Sequence, residues 1–88
     1  MKIRASGASM FPTLLDGHYY DMIIDEDLEF KNGDIIAFCV NKLVVCHRIV
    51  DIRRSKCGKV FYKTKGDNCS NCDPWAITPD MILGIVRE

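Results

Sequence analysis

The sequence predicts a small, mostly β domain, built as an antiparallel coiled sheet or barrel with one or two short helical turns. Three observations carry this expectation. Residues 34–40 and 43–51 are rich in Val, Ile and Phe and are separated by Asn41-Lys42, the spacing of a hairpin closed by a two-residue turn. Further short runs, at 59–65 and 82–87, have the length and β-branched or aromatic content of strands. Apolar residues recur at helical spacing over no long stretch, so helices are expected only as single turns.

Each element has its own local signal. Ser55-Lys56-Cys57-Gly58 reads as a turn leading into Lys59–Lys65, which alternates loosely between polar and apolar residues. Ile82–Arg87 reads as a closing strand, and Gly84 inside it predicts a bulge or a close backbone approach. Met10–Leu15 is expected to form one turn or a short helix, with Pro12 near its start, where a missing N–H costs little. Thr78-Pro79-Asp80-Met81 is a second short turn. Internal repeats, low-complexity tracts and linkers are absent.

Size and composition narrow the function classes. At 88 residues the chain has room for one domain, taken as 1–88, with a compact core and a thin stability margin. Twelve basic and twelve acidic residues cancel, so the excess positive charge that nucleic-acid binding requires is missing. The longest apolar stretches, Ile35–Val40 and Leu43–Cys46, fall far short of the roughly 20 residues of a bilayer span. Lys2 and Arg4 lead into Ser, Gly and Pro rather than the apolar run of a signal peptide. The expectation is a soluble chain without an anchor of its own. Five cysteines, an odd number with Cys39 and Cys46 inside strands, argue for a reducing, cytoplasmic compartment rather than a disulfide framework.

The chemistry-bearing residues fall in three segments. In Ser6-Gly7-Ala8-Ser9-Met10-Phe11-Pro12-Thr13, small residues let the backbone turn sharply and expose the Ser9 hydroxyl. Amide groups at such a turn, from Ser9 itself and from its neighbours Ala8 or Met10, can converge on one point as an oxyanion hole requires. The bland alternative is a Ser/Gly loop ahead of a helical turn. A serine nucleophile needs an adjacent base, and His47 in Val44-Val45-Cys46-His47-Arg48-Ile49 is the candidate. Strand alternation places it on the face opposite Cys46 and Arg48, although histidines in apolar strands are more often satisfied core residues. The loop Lys65-Gly66-Asp67-Asn68-Cys69-Ser70-Asn71-Cys72-Asp73 could supply a carboxylate that orients the imidazole, with Asx-type self-capping as the alternative.

Taken in order, these segments resemble signal peptidase I. The resemblance rests on Ser-Gly-x-Ser-Met-x-Pro-Thr at 6–13, Gly-Asp-Ile-Ile-Ala-Phe at 33–38 and His-Arg-Ile at 47–49. It continues through Lys-Gly-Asp-Asn…Asp at 65–73 and the closing Ile-Leu-Gly-Ile-Val at 82–86, and so covers nearly the whole chain. Self-cleaving repressor peptidases share the Ser-Gly-x-Ser-Met pattern and that fold. The resemblance implies a catalytic core of the signal-peptidase type, a serine endopeptidase without a cofactor, and a leader or signal peptide cut after a small residue. It implies Ser9 as nucleophile, with its own N–H an oxyanion donor and Ala8, Met10 and Gly66 in support. Histidine at position 47, where bacterial members carry lysine, is similar to the endoplasmic-reticulum, archaeal and sporulation branch. Asp67 and Asp73 match that branch's two loop aspartates, Asp73 as the partner of His47 and Asp67 as support.

The chain also departs from the family pattern. It starts eight residues before Ser9, without the N-terminal anchor, so a membrane-associated partner would have to supply one. Only Asp51–Lys65 separates the base strand from the Gly-Asp-Asn loop, so the family's inserted β subdomain is absent or reduced to a hairpin. Gly7 stands where bacterial members have an oxyanion-assisting hydroxyl, with Ser6 as the substitute to test. Two other classes stay open: a non-catalytic module that captures a peptide, and a regulatory self-cleavage domain. Cys69 and Cys72 amount to half a zinc site to which Cys57 could add a third ligand, but no second pair and no suitably spaced histidine completes it, so neither metal nor redox chemistry is assigned. His18 and the acidic run Asp25-Glu26-Asp27-Leu28-Glu29 read as surface, and Trp75 as a cap on the core.

Overall fold

The hairpin inside the sheet is closed by Asn41 and Lys42, both in left-handed backbone conformations (φ 49° and 66°). Two successive residues of that kind twist the backbone in the sense of the flanking strands, and Asn tolerates the conformation well. In the computed structural model, which describes residues 1–88, this turn joins β3 (Ile35–Val40) to β4 (Leu43–Arg54). The remaining strands are β1 (Lys2–Arg4), β2 (Tyr19–Ile23), β5 (Val60–Lys65) and β6 (Ile82–Arg87). All pairings are antiparallel in one sheet of order β1-β2-β6-β3-β4-β5. The fold is therefore mostly β, as expected. Of the two forms expected, the sheet is the one found, because no ladder joins β5 to β1 to close a barrel.

Residues 34–40 and 43–51 do pair as a hairpin, and β4 runs three residues further, to Arg54. The extension pairs with β5, so the segment between the base strand and the Gly-Asp-Asn loop is a plain hairpin turning at Ser55–Lys59. β1 and β2 were not foreseen. β1 is only three residues long, and β2 (Tyr-Tyr-Asp-Met-Ile) interleaves polar and apolar positions without strict alternation. Their pairing is specified by partners far along the chain, β2 against β6 through Asp21–Arg87, Met22–Val86 and Ile23–Ile85. Of the two forms expected for Met10–Leu15, the turn is found and the helix is not, with Phe11 N–H donating to Ala8 O and Leu14 N–H to Met10 O. The one helical element is a 3₁₀ turn, Pro79–Met81.

The sheet is apolar on both faces. Alternation along β3 sends Ile35 and Ala37 to one cluster with Ala5, Met10, Leu14, Met22 and Val86. It sends Ile36, Phe38 and Val40 to the other, with Ile49, Tyr62, Ile77 and Ile85. The first face is covered by residues 5–14, which carry Ser9; the second by the loops that bring in Phe30, Trp75 and Ile77. Each fully buried Ile or Phe side chain of this kind contributes roughly 1.5–3 kcal/mol. Gly84 satisfies both expectations placed on it. The β3–β6 register shifts beside it, between Ala37 and Phe38, and a Cβ there would lie 2.5 Å from the Ile23 carbonyl oxygen.

Candidate active site

Pairing of β4 with β3 fixes His47 opposite Ile36, and the ring enters the interior at only 7% exposure, edge-on to Phe38. The loop 66–73 approaches as it leaves β5, and the turn carrying Ser9 comes from the segment that covers the first cluster. His47 Nδ1 lies 2.6 Å from Asp73 Oδ2, and His47 Nε2 lies 3.0 Å from Ser9 Oγ. An ionised carboxylate can only accept, so Nδ1–H is the donor to Asp73. A neutral ring then presents the Nε2 lone pair to the Ser9 hydroxyl. Both side chains of the His47–Asp73 pair are about nine-tenths buried (9% and 10% exposed), which strengthens the interaction by excluding water.

Asp67, the other loop carboxylate, does not reach His47. It takes two hydrogen bonds from Arg48, from Nε at 2.9 Å and Nη2 at 2.8 Å, and a third from the Thr13 hydroxyl at 2.6 Å. The Arg48 guanidinium beside it holds its carboxyl down at about 2, while burial opposes the shift. Arg48 in turn is pushed further up by the same pair. This bidentate bond ties β4 to the loop and, through Thr13, to the serine turn. Asp67 therefore holds the scaffold together, while Asp73 meets the imidazole.

Gly66 makes the close approach of the three segments physically feasible. A Cβ at this position would stand 2.6 Å from the Ser9 carbonyl oxygen, 2.8 Å from Cys69 Sγ and 3.2 Å from His47 Nε2. The Ser9 carbonyl instead accepts the Asn68 backbone N–H at 2.8 Å, and Asn68 Nδ2 donates to the Ala8 carbonyl at 3.0 Å. Met10 is buried in the first cluster, and its sulfur accepts the Asp67 N–H at 3.2 Å. With their carbonyls and side chains engaged, Ala8, Ser9 and Met10 have backbone N–H groups that donate to no protein acceptor. Ser6 is exposed and takes no hydrogen bond to the site.

A cleft of about 660 Å³ opens over Ser9 and His47, walled by Ile3, Ala5, Val44, Leu83 and Trp75 among others. One wall is a free strand edge: β5 covers β4 only from Arg48 onward, so Leu43–His47 have β3 on one side and no strand on the other. Trp75 both packs against Phe38, with ring centroids 6.3 Å apart, and lines this cleft. His18 and Asp25–Asp27 are exposed. The five cysteines are free thiols, and no cluster of three or more His, Cys, Asp or Glu side chains is placed to hold a metal ion.

Sequence reasoning missed the supporting residues. Arg48, Thr13, Asn68 and Thr64 all touch the site or hold it, yet each has an ordinary local explanation in the sequence. Thr13, Arg48 and Asn68 stood inside the ordered motifs without an assigned role, and the signal for Thr64 was a hydroxyl at an inward strand position. Comparison of the chain with family models, with curated proteins and with solved structures returned no match.

Proposed function

We propose that this chain is a serine endopeptidase acting through Ser9, His47 and Asp73. The observation that carries the reading is the continuous line of hydrogen bonds Ser9–His47–Asp73, 3.0 and 2.6 Å long, beside an open cleft. Ser9 Oγ attacks the peptide carbonyl while His47 Nε2 takes its proton. The imidazolium so formed is stabilised by the Asp73 carboxylate, and the oxyanion by the free amide groups at Ser9 and its neighbours. His47 then returns the proton to the leaving amine. Water, deprotonated by the same nitrogen, hydrolyses the acyl-enzyme and regenerates Ser9.

The substrate lies extended, adding its backbone to the free Leu43–His47 edge of β4, with side chains against the apolar cleft walls. The resemblance to signal peptidase I supports a leader or signal peptide cut after a small residue, with a membrane partner presenting it. A second reading has support of its own. The cleft and the free edge would hold a peptide whether or not Ser9 reacts, which is what a capture module needs. Incubating wild type and Ser9→Ala with a peptide library decides between them. Cleavage by wild type alone supports the peptidase. Binding by both with cleavage by neither leaves the capture module, and equal cleavage by both removes Ser9 as nucleophile.

A further inference from the structure

Thr64 is the one fully buried polar side chain of the sheet interior, at 0% exposure, on the inward face of β5 two residues after buried Tyr62 and opposite Ile49. Valine has nearly the same shape and would serve such a position, whereas a hydroxyl taken there costs stability unless it is bonded. The Thr64 hydroxyl is bonded to a single group: it donates to Asp73 Oδ2 at 2.7 Å, the same oxygen that accepts His47 Nδ1–H. The Thr64 carbonyl accepts the Asp73 backbone N–H at 2.8 Å, so one residue grips the aspartate by main chain and side chain together. No other protein group bonds the Asp73 carboxylate. Without the hydroxyl, that carboxylate would be oriented only by the histidine it has to orient.

We infer that Thr64 is a positioning residue for the site. Its hydroxyl fixes the rotamer of Asp73, and through Asp73 it fixes the ring orientation and Nδ1–H tautomer of His47. The inference rests on the Ser9–His47–Asp73 reading for its catalytic meaning, but its structural content can be read without substrate.

The test compares Thr64→Val, which deletes the hydroxyl and keeps the shape, with Thr64→Ser, which keeps the hydroxyl and deletes the methyl. Both are made in the wild-type and Asp73→Asn backgrounds. The first readout is the low-field proton resonance and ring ¹⁵N shifts of His47, recorded without peptide. The second is kcat and KM on a peptide that wild type cleaves and Ser9→Ala does not. Thr64→Val should displace or abolish the Nδ1–H resonance and lower kcat about 10- to 100-fold, the worth of one hydrogen bond to a charged group, with KM within about twofold. Thr64→Ser should restore both. In the Asp73→Asn background Thr64→Val should lower kcat by less than about twofold further, since it acts through the group already altered.

The inference is overturned if Thr64→Val keeps the wild-type resonance and kcat, if Thr64→Ser is as impaired as Thr64→Val, or if the two changes multiply. Should Thr64→Val not fold, Thr64→Ala against Thr64→Ser isolates the same hydroxyl. Should wild type and Ser9→Ala cleave alike, the peptidase reading falls. The imidazole resonance then decides Thr64 alone, a displaced signal supporting its grip on Asp73 and an unmoved one refuting it.

Discussion

Two neighbouring residues of β4, His47 and Arg48, point to opposite faces of the strand, and each pairs with an aspartate of the same eight-residue loop, 66–73. Their pairs differ in kind. Arg48–Asp67 joins a permanently charged guanidinium to a carboxylate held ionised down to about 2, through two parallel bonds at 29% and 19% side-chain exposure. His47–Asp73 is one short bond, about nine-tenths buried, to a ring that can gain and lose a proton. The first cannot change state in ordinary solution and so can only hold. The second leaves a nitrogen facing Ser9 and so can work. The strand's alternation delivers both from one dipeptide, separating support from chemistry by a single step along the chain.

That contrast can be broken most sharply at the histidine. His47→Ala should abolish peptide cleavage, by about 10⁴-fold or more, while leaving the fold intact by circular dichroism. An active His47→Ala variant would reduce the His47–Asp73 bond to a core contact. Asp73→Asn should follow closely, with kcat down by as much as about 10⁴-fold, because an amide facing Nδ1 can select the wrong tautomer. Asp67→Asn should do the reverse. It loses the ion pair with Arg48 at a cost to stability of about 1–3 kcal/mol, read from the urea midpoint, and activity falls mainly through loosened geometry. If Asp67→Asn silences cleavage as fully as Asp73→Asn at unchanged stability, the division of labour is wrong.

A smaller effect should appear in acid. Asp67 has a lower proton affinity in the folded chain (about 2) than in the unfolded one (3.8), so the folded form binds fewer protons between these values. Its contribution to stability is complete above about pH 4 and is lost as pH falls through about 2. Urea midpoints between pH 5 and 2 should therefore fall less steeply for Asp67→Asn than for wild type. Identical slopes would mean that Arg48 does not hold the carboxylate ionised in solution.

Gly66 is where the two pairs meet, and it shows how little room the arrangement leaves. Gly66→Ala would force a methyl against the Ser9 carbonyl and the His47 ring, so both stability and cleavage should fall together. Nothing in Lys-Gly-Asp-Asn announces this clash, since a glycine before Asp-Asn has an adequate explanation as a turn residue. The strands β3 to β6 were legible because alternation and turn chemistry are local properties of the chain, and Asn41-Lys42 marks its hairpin without reference to anything distant. β1 and β2 were not legible, because their hydrogen bonds depend on partners elsewhere: β1 on β2, and β2 on β6.

For the site, local pattern and ordered motifs brought Ser9, His47 and the two aspartates forward as candidates, since residue type limits which side chains can attack, shuttle a proton or carry charge. Which aspartate faces which base is another matter. The ordered resemblance favoured Asp73 for His47, but the two carboxylates are six positions apart on one loop, and no local pattern pairs Asp67 with Arg48. That choice depends on how β5 pairs with β4, on the Thr64 hydroxyl waiting below Asp73, and on the absence of a side chain at Gly66. Sequence by itself determined the kinds of groups available. The tertiary structure decided the 2.6 and 3.0 Å distances that make a serine, a histidine and an aspartate a single unit, because such distances are set by packing between segments far apart in the chain.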